Sequence, residues 1–186
     1  MSNRKRPLPQ RQPLEHHTWD YVPIMAPGVD WDRVAAEDWE RDHGHPPATP
    51  QEITAAAKME RYRQHPRSIE DLPLLPGRRI LVYTLRTLRD AELSRAALAV
   101  VGMMDDLGER AHALLCQAVV AIRQHPAPAE DDGFSAELDL PRVRWQGTMA
   151  LPRDIWERLG VDPVEVLDLG LTVQRRSELS GDEQGR

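Results

Sequence analysis

The sequence predicts a mainly α protein with a small β-containing module near its C-terminal end, an α+β chain that carries an extended Pro-rich N-terminal arm. Three observations lead there. Of the 16 prolines, eleven lie in residues 1–76 and none in 77–125, and proline breaks helix interiors. Within that proline-free span Leu93, Ala97, Val100, Met104, Leu107, Ala111, Leu114, Ala118 and Ala121 recur at alternating intervals of four and three. That is the apolar stripe of a helix. Farther on, Phe134 to Leu140 alternates like a strand, and Val143-Arg144-Trp145 continues it beyond Pro141.

The elements follow in order. Residues 1–28 read as an arm, because Pro7, Pro9, Pro13, Pro23 and Pro27 favour extended backbone. Its stretch from His16 to Met25 is too aromatic for a solvating linker, so Trp19, Tyr21 and Ile24 are expected to anchor it on its own core or on a partner. Residues 29–77 hold two short helices and a connector. The first runs from Trp31 to about Arg41, with Asp30 as N-cap and Gly44 beyond its end. The second opens on Thr49-Pro50-Gln51-Glu52, a capping box with proline at the first helical position, and should run to about Gln64. Residues 78–125 are the amphipathic helical core. Leu81, Leu85 and Leu88 begin it, and a break near Met104–Asp106 divides the long stripe into two helices. Residues 134–176 form a small β-α-β module: a strand, a helix from Pro152 to Leu159 stopped by Gly160, and a strand-like Val164–Val173 broken at Gly170. The tail, 177–186, is polar and should fray.

Composition narrows the function. The 186 residues carry 24 Lys+Arg and 30 Asp+Glu, a formal charge of −6, so no strongly basic domain is present. No apolar run approaches the roughly 20 residues of a membrane span, and no apolar segment follows the basic start. A soluble, cytoplasmic chain without a membrane partner is expected. One cysteine excludes an internal disulfide and any zinc site built on two thiolates. The seven histidines pair closely only at His16-His17 and His43-Gly44-His45. Neither pair has the helical spacing of a metalloprotease, so no metal or cofactor is expected. Cys116 sits in an apolar run and reads as a buried, inert thiol, with His112 one turn away as its only candidate base. With no phosphate loop, nucleophile elbow or carboxylate pair, the chain does not read as an enzyme. The basic cluster Arg4-Lys5-Arg6 with Arg11 suits either weak phosphate contact or a solubilising tail.

The stretch Gly147-Thr-Met-Ala-Leu-Pro152-Arg-Asp-Ile-Trp-Glu-Arg-Leu-Gly160-Val-Asp-Pro163 places a strand, a tight turn, a short helix and a glycine stop in sequence. With its flanks, residues 140–176, it resembles the AbrB/SpoVT/MazE-type DNA-binding module. Gly147, Leu151, Pro152, Arg153, Ile155, Leu159, Gly160, Val161 and Pro163 fall on that pattern without a gap. Val164 stands where the family usually has glycine, and Gln146 where it usually has a basic or small polar residue. The resemblance implies a two-fold dimer of interleaved hairpins that binds duplex DNA, with Arg142, Arg144 and Arg153 as the contact residues.

Two functions stay open at this point. One is a non-catalytic regulatory protein, an AbrB-like DNA-binding dimer with a helical oligomerisation or partner-binding region. The other is a structural, assembly or adaptor subunit that binds protein only. In both, the chain pairs with itself or with a protein partner, and Leu93, Val100, Leu107 and Leu114 are the interface stripe.

Overall fold

Seven consecutive residues, Ile80–Arg86, organise the molecule. The computed structural model describes residues 17–24, 26–57, 67–98, 106–128, 137–145 and 148–183. Its strands are β1 (Thr18–Tyr21), β2 (Ile80–Arg86), β3 (Val119–His125), β4 (Val143–Trp145) and β5 (Thr148–Ala150). Its helices are α1 (Trp31–His43), α2 (Pro50–Ala56), α3 (Asp90–Leu98), α4 (Asp106–Ala118), α5 (Ile155–Arg158) and α6 (Pro163–Glu183), with a 3-10 turn at Ile69–Asp71.

Strands β1, β2 and β3 pair antiparallel in that order, with Trp19 opposite Leu85 and Tyr83 opposite Ile122. Both faces of β2 are covered, and the alternation of its side chains decides what covers each. Tyr83 and Leu85 enter the main core with Ile122, Leu114, Leu115, Trp156, Leu169 and Val173. Ile80 and Val82 enter a second core with Val22, Ala26, Val29, Val34 and Leu72. β4 and β5 form a separate antiparallel hairpin, with Val143 opposite Ala150.

The N-terminal helices form where their caps place them. Asp30 accepts a hydrogen bond from the Arg33 amide at 3.1 Å, and Gly44 ends α1 in the left-handed region at φ 77°. Thr49 and Glu52 close the capping box of α2. Arg67 reaches back to α1: its Nη2 donates to Asp38 Oδ1 at 2.7 Å and to the Val34 carbonyl at 3.3 Å, and it also pairs with Glu37. Asp38 has no exposed surface. A buried carboxylate is tolerated because a guanidinium meets it.

The α+β class stands, but four expected elements are different. The span 78–125 is a β-α-α-β unit rather than a helical core, since Leu81 and Leu85 lie on β2 and the unit closes on β3. A four-residue spacing satisfies the period of two as well as that of 3.6, and the run Ile-Leu-Val-Tyr-Thr-Leu has the β-branched and aromatic character of a strand. The expected strand at 164–173 is the first half of α6. The tail expected from Ser177 continues that helix to Glu183. The helix after Pro152 is only Ile155–Arg158, ended by Gly160 at φ 67°. The arm before His17, with Arg4, Lys5, Arg6 and Arg11, lies outside the described residues. So do the second half of the helix from Thr49, the break at Met104, and Phe134.

Gly170 explains how α6 seats itself. A Cβ built there would stand 2.5 Å from Ala111 Cβ and 2.6 Å from Ala111 Cα, so α4 and α6 cross where neither has a large side chain. Gly170→Ala gains roughly 1 kcal/mol of helix propensity. It also drives a methyl group into the backbone of α4, an overpacking that costs about 1–3 kcal/mol. Urea unfolding should therefore give a lower midpoint for Gly170→Ala. An equal or higher midpoint would show that the crossing has slack.

Candidate interaction surface

The surface is built on α6, and α6 starts where its cap dictates. Asp162 Oδ1 accepts from the Val164 amide at 2.7 Å, Glu165 Oε2 accepts from the Asp162 amide at 3.3 Å, and Pro163 takes the first helical position. A related Pro-containing cap starts α2, where Thr49 Oγ1 accepts from the Glu52 amide, one residue farther into the helix. From this start, Val166, Leu169, Gly170, Val173 and Ser177 turn inward, and Ser177 Oγ accepts from the Leu88 amide at 3.0 Å.

A second inward row is polar. Glu165 and Asp168 are buried. Tyr21 donates its hydroxyl to Asp168 Oδ2 at 2.9 Å, and the Ile24 amide donates to the same oxygen at 3.3 Å. Burial pushes the Glu165 carboxyl above the usual range, against the hydrogen bond from Asp162, and the carboxylates of Asp162 and Asp168 add to the rise. Burial likewise raises the Tyr83 hydroxyl, with Glu165 adding to the effect.

The outer face is apolar at its start. Val164 is 54% exposed and Leu171 36%, with Leu167 half-buried between them. Beside them Leu107, at the start of α4, is 53% exposed. A depression of about 310 Å³ lies between the two helices, lined by Leu107, Gly108 and His112 from α4 and by Pro163, Val164 and Leu167 from α6. The Arg153–Glu109 ion pair stands at the Glu109 side of it.

The residues expected at an interface divide. Trp19 and Tyr21 pack on the chain's own main core, with the Arg176 guanidinium 4.7 Å from the Trp19 ring centre. Ile24 is half-buried and bonded to α6. Leu93 packs on the main core, and Leu114, 1% exposed, has no surface left for a partner. Their stripe is covered by the sheet and α6, elements that the helical reading of 78–125 did not supply. Leu107 alone stays open among the described residues of the stripe, and Val100 lies outside them.

The arginines divide too. Arg142 Nη2 donates to the Val119 and Val120 carbonyls, each at 2.9 Å, and so covers the edge of β3. Burial and the neighbouring Arg86 lower its guanidinium. Arg153 is ion-paired with Glu109. Arg144 is exposed on β4. Cys116 is buried, and burial pushes its thiol up to about 11, which makes it a poor nucleophile at neutral pH. No group of three or more metal-ligating side chains occurs among the described residues, and no helix among them is long and apolar enough to cross a membrane. The chain matches no protein-family model, no curated protein and no solved structure.

Glu165 gives the surface a pH dependence of defined sign. Its raised value means the folded chain holds the proton more tightly than the unfolded chain does. That contribution is complete below the ordinary value of 4.5 and is lost as pH rises through the higher native value. Glu165→Gln, which stays neutral, should equal the wild type in acid and gain on it as pH rises toward neutrality. Urea midpoints of both proteins across that interval check this, and parallel curves would contradict it.

Proposed function

We propose that this chain is a non-catalytic binding subunit that works by protein–protein contact through the outer face of α6 and the start of α4. The observation that carries the reading is the pair of exposed apolar residues Leu107 and Val164 that line one depression with half-buried Leu167, with exposed Leu171 one turn beyond Leu167 on α6. Exposed apolar residues scattered singly are ordinary, whereas a patch rimmed by polar groups marks an interaction site. The one thiol, Cys116, is buried and its raised value makes it a poor nucleophile at neutral pH, which suits a contact surface better than a nucleophilic site.

A DNA-binding regulator is the second reading, and one local observation favours it. The hairpin β4–β5, the short helix α5 and the Gly160 stop follow one another in the order that the resemblance to the AbrB-type module requires. Arg144 is exposed on that hairpin. Against it, Arg142 and Arg153 already have partners within the chain, and α6 stands where the module would have a further strand.

The mass of the native particle in extracts of cells that make the chain separates the two. Protein binding predicts a particle heavier than the 21.2 kDa chain, unchanged by nuclease. Leu107→Asp with Val164→Asp should return it to the mass of the chain while leaving its melt intact, because both side chains are exposed. A particle of chain mass in the wild type would contradict this reading. One that shrinks with nuclease, with duplex binding lost in Arg144→Ala, would transfer the conclusion to DNA.

A further inference from the structure

Two imidazoles at the end of α1 are held in the form that binds a metal ion. His43 closes α1, Gly44 follows at φ 77°, and His45 begins the connector to α2. On a continuing helix, residues two apart do not face each other. The left-handed turn at Gly44 ends the helix between them, and the two rings come to 6.3 Å between centres, tilted by 58°. The His43 ring is also stacked on Trp39, with centres 3.9 Å apart and planes within 10°, so a buried indole fixes its orientation.

Hydrogen bonds decide which nitrogen each ring leaves open. His43 Nδ1 donates to the Trp39 carbonyl at 3.0 Å, and His45 Nδ1 donates to the Pro46 carbonyl at 3.0 Å. A carbonyl oxygen can only accept, so Nδ1 carries the hydrogen in both rings, and in the neutral ring Nε2 carries the lone pair. A metal-bound histidine has this arrangement: its other nitrogen donates to a carbonyl or carboxylate, which fixes tautomer and orientation. Both residues are exposed, and neither Nε2 has a partner among the described residues.

The separation of the rings suits a shared ion. A cation about 2.0–2.1 Å from two imidazole nitrogens stands roughly 3.2 Å from each ring centre, which puts the centres about 5 Å apart at a tetrahedral angle and about 6.4 Å apart at most. The observed 6.3 Å lies inside that range. The surroundings favour positive charge, because the dipole of α1 presents its negative end here. The Glu52 carboxyl, held below its usual range chiefly by the Ala48 and Thr49 amides, is close enough to His45 for that ring to lower it further.

We propose that His43 and His45 form a binding site for a borderline divalent transition-metal ion, with Nε2 of each ring as ligand and water in the remaining positions. No third protein ligand stands with them among the described residues, so the site is open and exchangeable, unlike a closed structural centre. Imidazole suits Zn²⁺, Ni²⁺ and Cu²⁺, and Cu²⁺ binds tightest of the three. The inference does not rest on the protein-binding reading, since α1 packs on the second core and lines no part of the depression beside α6.

Nuclear magnetic resonance of the full ¹⁵N-labelled chain with less than one equivalent of CuCl₂ tests the proposal. The paramagnetic ion broadens nearby signals, so the amides of residues 39–46 should fade first, while those beside His17, His112 and His125 persist. His45→Ala should remove this selective fading and leave the rest of the spectrum in place, because the ring is exposed. Calorimetry with ZnCl₂ should show binding to His45→Ala weakened at least about tenfold, the cost of losing even an outer-shell partner. His43→Gln should weaken it likewise. Fading centred on another histidine, or no selective fading in the wild type, overturns the site. Fading of 39–46 that survives His45→Ala, or Zn²⁺ affinity equal in wild type and variant, overturns the shared ligation.

Discussion

The close approach of α6 to α4 at Gly170 and Ala111 is the constraint on which the surface depends. It brings the backbones of two helices together where a single added methyl group would collide. From that crossing, the direction of α6 across the sheet follows. Its middle meets β1 through Tyr21 and Asp168, and Ser177 reaches Leu88. Leu107 and Val164 come to lie on either side of one depression because their helices diverge from this crossing toward their starts. Interiors are packed closely enough that a change of one carbon at such a point is felt.

The second feature is the division of labour around α6. One side is aliphatic and faces the main core, one is carboxylate and faces two tyrosines, and one is aliphatic and faces solvent. Burying Glu165 and Asp168 raises an electrostatic cost, and the structure meets it differently for each. Asp168 accepts two hydrogen bonds, whereas Glu165 accepts one amide and shifts toward its neutral form. The cap residue Asp162 and the buried Glu165 belong to the same turn as Val164. The geometry of the outer apolar face is thereby tied to a fixed helix start rather than to a loop.

Much of this was legible in the sequence where a local chemical signal decided the outcome. Asp30, Gly44, Thr49-Pro50-Gln51-Glu52 and Gly160 each act at a chain boundary as their side chains or freedom from a Cβ dictate. Buried, inert Cys116 followed from its apolar neighbours. What periodicity obscured was β2, where Leu81 and Leu85 fit a helix and a strand equally well. It obscured α6 for the opposite reason. A helix with apolar residues on two sides and carboxylates buried on a third shows no single stripe, and Val164-Glu-Val-Leu-Asp-Leu resembles alternation. The signal that identifies α6 was nonetheless present, since Asp162-Pro163-Val164-Glu165 is related in chemistry to the cap at Thr49. The apolar surface itself was half legible. Leu107 belonged to the expected stripe, but Val164 and Leu171 emerge only once their segment is a helix.

Hydroxyl-radical footprinting of side chains, comparing the native particle with the dilute chain, tests the central claim most directly. If the chain works through the outer face of α6, Leu107, Val164, Leu167 and Leu171 become protected together in the particle, while the exposed Ile53, Leu75 and Met149 do not. Protection confined to the β4–β5 hairpin around Arg144 and Met149, with Leu107 and Val164 reacting equally in both states, would contradict it.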